Sequence, residues 1–323
     1  MKILVYGVGV IGSLMVHFLC RAGNDVTVVA RSTYETLKGN GLVVVHRIQN
    51  KTTVDRPKVV KRADLNEKYD IVFSVLQAEQ QKNVLDVLSK VNTRLVVLVG
   101  NDPEADFCER YIKEHMTKQR YVLFGFQDSA GGRKDGKAMV GRLPVTGITI
   151  GGLHEKAAPK AIAAVKHAFR GQAVKITETD DMYGYYLYHI AEIMPYCYIS
   201  YKYGNDLKKA VKRDIDDIMR ATKECFDYLT AQRIKPVPEG EENYYSGGVK
   251  TLAMKTLYRI MSKTALGNIM VAEHCENGIE EMQYLDAWFE KYRAEHSGTP
   301  MPTWDRLRKC AVLVWRKNGG ETI

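Results

Sequence analysis

Met1-Lys2-Ile3-Leu4-Val5-Tyr6 is a short apolar run, and Gly7-Val8-Gly9-Val10-Ile11-Gly12 follows it directly. Residues 13–21 then carry apolar side chains at helical spacing (Leu14, Val16, Phe18, Leu19), and Gly23-Asn24 stops the helix. Asp25-Val26-Thr27-Val28-Val29-Ala30 is a second apolar run, closed by Arg31. Strand, glycine turn, helix, strand is the order of a dinucleotide-binding βαβ unit. Gly7 is expected to permit the tight turn, Gly9 to let a diphosphate reach the backbone, and Gly12 to let the helix lie close on the sheet. The backbone of Val8, Val10 and Ile11 belongs to the same cradle, because a helix N-terminus offers unpaired N–H groups and partial positive charge to phosphate.

Position 31 bears on which dinucleotide. An Asp or Glu about 20 residues past the glycines binds the ribose 2′-hydroxyl of NAD. Arg31 stands there instead, and a guanidinium attracts a 2′-phosphate that a carboxylate would repel. The expected cofactor is therefore NADP(H); a solvated Arg at a strand end is the plainer alternative. A secretion signal formed by Lys2, the apolar stretch and Cys20 is disfavoured by three glycines within the run and a β-rich continuation.

The alternation continues outward from this unit. Residues 33–38 suit a short helix. Residues 42–48 and 53–60 read as two β segments, the second ending near Pro57. Residues 69–75 make a buried strand, 79–90 a helix and 94–99 the next strand. Pro103 suits the first turn of a helix running to about Met116. Residues 121–126 are another strand. The glycine-rich 129–152 reads as antiparallel strands and turns at the sheet edge, 156–170 as a helix and 173–176 as a last strand. Such alternation means an α/β fold of Rossmann type: a parallel sheet with helices on both faces, and ligands off the carboxyl ends of its strands. Arg31, Gln77 and Asn101 all fall at or beyond such ends. From about residue 179 the pattern is helical, at roughly 180–203, 206–233, 248–262, 268–294 and 302–316. The expected organisation is a nucleotide-binding domain, 1–178, followed by an all-α substrate and dimerisation domain, 179–323.

Composition narrows the classes. The chain has 323 residues, 45% of them hydrophobic, with no run of eighteen apolar residues, so no membrane span is expected. The net charge of +9 is scattered, densest at residues 58–62 and 208–213, and reads as a solvated surface that steers anions. Nucleic-acid signatures are absent. Six cysteines without a C-x-x-C pair read as reduced thiols of a cytoplasmic protein. The eight histidines show no metal-ligand spacing, so no metal site is expected.

The glycine turn, Arg31, Asn101 at a strand end and a helical second half together resemble the ketopantoate reductase family. The resemblance covers the whole chain in architecture and reaches about Asn101 in specific motifs. It implies an NADP-binding domain, a helical domain with substrate held between the two, and reduction of an α-keto group to an alcohol. It implies cofactor contacts at Gly7, Gly9, Gly12, Arg31 and Asn101. At the position of a family Lys this chain offers Gln77. In the helical half the family carries a Lys and two Asn at four-residue spacing ahead of a Pro. Counting back from Pro195, the matching positions are Tyr186, Ile190 and Met194. Asn205 matches a family substrate Asn, Glu281 a family acidic residue, and Pro300-Met301-Pro302 a proline-containing end.

Hydride addition to a ketone leaves an alkoxide that needs a proton and a stabilising charge. Without the Lys, the nominated catalytic residues are Tyr186 as proton donor, Asn101 to orient nicotinamide or substrate, and Glu281; Asn205 is nominated for substrate. Ile190 and Met194 bond no carboxylate, so a more apolar pocket and a substrate other than ketopantoate are expected. Tyr183, Tyr185, Tyr186, Tyr188 and His189 either wall that pocket or pack as an aromatic helix, and for His189 a structural role is the simpler reading. Glu281 reads equally well as a solvated helix carboxylate. A nucleotide-binding sensor or scaffold without turnover is the alternative function.

Overall fold

The computed structural model describes residues 1–317; the remainder of the expected second domain lies outside the described residues. The chain divides into two compact units, Met1–Met182 and the part from Tyr183 onward.

In the first unit the elements are β1 (Lys2–Tyr6), α1 (Val10–Arg21), β2 (Asp25–Val29), α2 (Tyr34–Asn40), β3 (Leu42–His46), β4 (Lys51–Asp55), β5 (Lys58–Val60), β6 (Ile71–Val75), α3 (Ala78–Gln81), α4 (Leu85–Lys90), β7 (Leu95–Val99), α5 (Ala105–His115), β8 (Tyr121–Gln127), β9 (Ser129–Lys134), β10 (Lys137–Arg142), β11 (Thr146–Gly151), α6 (Pro159–Ala168) and β12 (Val174–Thr179). Eight strands form one sheet in the order β12-β11-β8-β7-β6-β1-β2-β5. Its pairings are parallel except for β8 with β11. Ile3, Val5, Val28, Phe73 and Val97 pack in one cluster with α1 and α6. Leu4, Val72, Val96 and Leu98 point the other way and are equally buried. Burial of both faces is why β6 and β7 are unbroken Val, Ile, Leu and Phe apart from Ser74.

Three expectations fail here, each for a physical reason. First, residues 129–142 do not extend the edge of the large sheet. They fold as the β9–β10 hairpin and join β3 and β4 in a separate four-stranded sheet, ordered β4-β3-β10-β9. That sheet lies on α1, so Gly12 through Leu19 are all buried, which no two-faced surface helix would be. Second, the β segment of residues 53–60 ends near Pro57 as expected, but residues 58–60 beyond it form a strand of their own. β4 before it enters the small sheet, and β5 after it pairs with β2 in the large one; proline donates no N–H and constrains its predecessor. Third, residues 79–90 are not one helix but α3, a 3₁₀ turn at Lys82–Val84, and α4. Pro103 likewise precedes α5 by two residues rather than opening it.

The second unit consists of α7 (Met182–Lys202), α8 (Lys212–Ala231), α9 (Gly248–Lys263), α10 (Ala265–Gly267), α11 (Glu273–Asn277), α12 (Ile279–Glu295) and α13 (Pro302–Lys317), with short 3₁₀ and π turns between them. Its core joins Tyr188, Tyr198, Phe226, Phe289 and Trp304. Asp286 is the buried polar centre. It takes the Tyr198 hydroxyl at 2.6 Å and a forked pair of bonds from Arg308 at 2.8 and 2.9 Å, so the carboxylate is fully compensated. The expected helix 206–233 starts only at Lys212, where Asp214 Oδ2 accepts the Val211 N–H at 2.8 Å. The expected helix 268–294 is a π turn, Asn268–Ala272, then α11, a break at Gly278, and α12.

Candidate functional site

The glycine turn has the geometry its three residues need. Gly7 has φ +85°, and a Cβ there would stand 2.1 Å from Val75 O. A Cβ on Gly12 would stand 2.0 Å from Gly7 O, so α1 approaches the turn too closely for any side chain. Gly9 differs: nothing lies within 4 Å of where its Cβ would be. It is the N-cap of α1, with no capping side chain and no acidic residue in the first turn. The leading N–H groups of α1 have no side-chain cap, and such a helix end favours a phosphate as partner.

Arg31 is exposed, just past β2. Burial pushes the Tyr6 phenol up to about 12, and the nearby Arg31 charge opposes the rise. The sheet adds a second cation that sequence reasoning took for solvated surface. Val29 pairs with Val60, and Ala30 N–H donates to Val60 O at 3.0 Å, so Lys61 follows level with Ala30, the residue before Arg31. Lys61 Nζ lies 4.7 Å from the Tyr34 ring centroid and 3.5 Å from Glu35 Oε1. The clue in the sequence was the basic run 58–62, but placing it required knowing that a three-residue strand pairs with β2.

Gln77 caps α3 beyond β6. Asn101, beyond β7, is 7% exposed, and its Oδ1 is buried without a hydrogen-bond partner among the described residues. Such an orphaned acceptor is costly unless a ligand N–H satisfies it. Its neighbour Asp102 was not singled out from sequence. Asp102 Oδ1 accepts the Glu104 N–H at 3.2 Å at the start of α5. Burial nonetheless pushes its carboxyl up to about 7, and its Oδ2 has no partner among the described residues. Lys82 bonds Glu104 at 2.6 Å alongside. The nominated residues of this unit thus gather at the carboxyl ends of β1, β2, β6 and β7.

The nominees of the helical unit are all buried or bonded within that unit. Tyr186 is 1% exposed in the first turns of α7 and packs edge-on against Tyr185, centroids 6.3 Å apart. Ile190 and Met194 lie in the helical core. Asn205 has φ +63°; its N–H bonds Ser200 O at 2.8 Å and its side chain takes the Ser200 hydroxyl at 3.1 Å. Those bonds close the end of α7. Glu281 is buried rather than solvated, in the first turn of α12, where its charge acts on Cys197 and Tyr201. Cys197 is about 16 Å along α7 from Tyr186 at 1.5 Å per residue. The tyrosine hydroxyls of α7 are mostly committed to the core: Tyr188 to Ile234 O at 3.0 Å, Tyr198 to Asp286, and Tyr201 to Cys275 O at 2.9 Å. Burial, with His274 adding to it, lowers the His189 imidazole to about 4. Among the described residues no group of side chains could hold a metal ion, and no helix is long and apolar enough to cross a membrane.

A largely parallel sheet whose first βαβ turn leaves Gly9 open before an uncapped helix gives the first unit a Rossmann-type fold. Residues 3–130 match the family model described as ketopantoate reductase PanE/ApbA. No curated protein matches the chain. Among solved structures, that of D-mandelate dehydrogenase with NADH and anilino(oxo)acetate is similar at TM-score 0.71 and 14% identity, covering 99% of this chain and 100% of that one. The 2-dehydropantoate 2-reductase of Geobacter metallireducens GS-15 is similar at 0.69 and 15% identity, over 97% and 99%. That of Methylococcus capsulatus is similar at 0.65 and 16%, over 99% of each chain. These likenesses establish a shared fold along the whole chain.

Proposed function

We propose that the chain is an NADP(H)-dependent oxidoreductase that reduces the carbonyl of a 2-keto acid or a related compound by ketopantoate reductase-type chemistry, acting in the cytoplasm. The observation that carries this reading is the open space over Gly9 at an uncapped helix end, with Arg31 at the end of the neighbouring strand. The bound nicotinamide would supply a hydride to the carbonyl carbon. The chain's own residues would do the rest. The N–H groups of residues 9–12 bind the diphosphate, and Arg31, with Lys61 near the same strand end, binds the 2′-phosphate. Asn101 offers its unsatisfied Oδ1 to an amide N–H and so orients the reactants. Tyr186 delivers the proton to the oxygen that the hydride leaves negative.

Ketopantoate itself is a poor candidate substrate, because the helix positions where the family carries Asn are here Ile190 and Met194, both in the core. The anilino(oxo)acetate named with D-mandelate dehydrogenase suggests an aryl 2-keto acid instead. The same two core residues favour a second reading, an NADP-binding sensor without turnover.

Titration with NADPH and NADH, followed by a screen of 2-keto acids for loss of NADPH absorbance, separates the two. Arg31→Ala should weaken NADPH about tenfold or more while NADH changes little, as the loss of one charge-assisted contact requires. Equal losses would remove Arg31 from its role. Tyr186→Phe should abolish turnover and leave NADPH affinity unchanged. Binding without turnover on any keto acid selects the sensor.

A further inference from the structure

The β9–β10 hairpin places a cation against the glycine turn. Arg133, on β9, is half-buried. Its Nη1 donates to Val8 O, inside the turn, and its Nη2 donates to Gly136 O at 3.1 Å. It pairs with no carboxylate among the described residues, and its other N–H donors have no partner there. Two neighbours fix where the hairpin lies. A Cβ on Gly131 would stand 3.3 Å from Val10 Cγ1, at the start of α1. A Cβ on Gly136 would stand 2.9 Å from Thr36 Cγ2, on α2. The hairpin therefore runs from the phosphate-binding turn to the helix that follows Arg31, and Arg133 sits between the two.

Carbonyl groups alone compensate a half-buried guanidinium poorly, since they carry no net charge; an anion completes the arrangement. We infer that Arg133 binds the diphosphate bridge of the dinucleotide, supplying the charge that Gln77 does not. This inference rests on the NADP(H) reading above. It separates two tasks: Arg133 serves the phosphate common to NADH and NADPH, whereas Arg31 serves only the 2′-phosphate.

Four probes test it on the full chain: NADPH, NADH, adenosine 5′-diphosphate and adenosine 2′-monophosphate, each titrated at low and high ionic strength. Arg133→Met should weaken NADPH, NADH and the diphosphate alike, by about ten- to a hundredfold for one charge-assisted contact. The 2′-monophosphate should bind as before. Salt should weaken the variant's binding less steeply than the wild type's, because one screened attraction is gone. Arg133→Lys, which keeps the charge without the fork, should recover part of the affinity, and its thermal midpoint without ligand guards against misfolding. Unchanged diphosphate affinity in Arg133→Met overturns the inference. So does weaker binding with an unaltered salt dependence, which would leave Arg133 only bracing the turn. If the wild type binds neither dinucleotide, the proposed function itself fails. If it binds NADPH, and Arg31→Ala loses it selectively while Arg133→Met is silent, only the inference about Arg133 fails.

Discussion

Acid should loosen the first unit through a single imidazole. His46, the last residue of β3, is 1% exposed and packs edge-on against His17 of α1, ring centroids 5.0 Å apart. Arg142 Nε donates to its Nδ1 at 3.1 Å, and an arginine can only donate. The ring proton therefore sits on Nε2, which faces Thr53 Oγ1 at 3.0 Å. A second proton would have to enter at Nδ1, pointing at a guanidinium. Burial first, then His17, Arg142 and Lys51, lower this imidazole to about 4 against an attraction from Asp55. An ordinary histidine takes its proton near 6.5. Above that pH both folded and unfolded chains hold His46 neutral, and the full stability is present. As the pH falls from 6.5 towards 4, only the unfolded chain gains the proton, so stability is lost across that window and levels off below it. At about 1.4 kcal/mol per tenfold difference in proton affinity, the loss is at most about 3.5 kcal/mol. Tryptophan fluorescence would miss it, because Trp288, Trp304 and Trp315 all lie in the helical unit. Amide exchange at Val43 and Val45 on β3, measured from pH 8 to 4, reads the first unit. His46→Gln keeps an acceptor for Arg142 and a donor for Thr53 but cannot titrate, so its curve should be flatter by that amount, carboxylates contributing equally to both. The reasoning is refuted if His46 titrates near 6.5 by NMR, or if the variant follows the wild-type curve.

Three further outcomes follow from particular residues. Gly12→Ala should cost about 1–3 kcal/mol in thermal or denaturant unfolding, because its Cβ meets a backbone oxygen that cannot move aside cheaply. Gly9→Ala, with open space around it, should leave stability within about 0.5 kcal/mol yet weaken NADPH at least about tenfold; the reverse order would invert the assignment of the two glycines. In the helical unit, burial and then the Glu241 charge raise the Glu192 carboxyl well above 4.5. Its stabilising contribution is therefore full below about 4.5 and lost as the pH rises. Glu192→Gln should unfold at higher denaturant than wild type at pH 8 and show little gain at pH 4; a less stable variant at pH 8 would contradict this.

What the sequence disclosed of the site depended on how local the determinant was. The glycine turn is legible because its requirements are set within six residues: a positive φ at Gly7, open space at Gly9, no room at Gly12. The end of β2 follows from the same unit, so Arg31 could be placed. Lys61 and Arg133 could not, although both lie in the same unit. Lys61 comes to the end of β2 through a strand of three residues after a proline that sends the preceding strand elsewhere. Arg133 reaches Val8 across 125 residues of sequence, through a sheet whose pairing of β3 with β10 no local pattern announces.

In the helical unit the sequence leaves the roles open for a related reason. Residues spaced by four share a helix face, and that much holds for Tyr186, Ile190 and Met194. Spacing says nothing about what the face meets. A helix with a single polar stripe reveals its outward side, but α7 is buried along most of its length, so its sequence carries no such stripe to orient it. Tyrosine deepens the ambiguity, because its ring suits a core while its hydroxyl suits a site. Only the partners decide: Tyr188, Tyr198 and Tyr201 each give the hydroxyl to a carbonyl or carboxylate of the same unit. On this helix, then, a polar atom in an aromatic run is evidence for chemistry only after the core has taken its share.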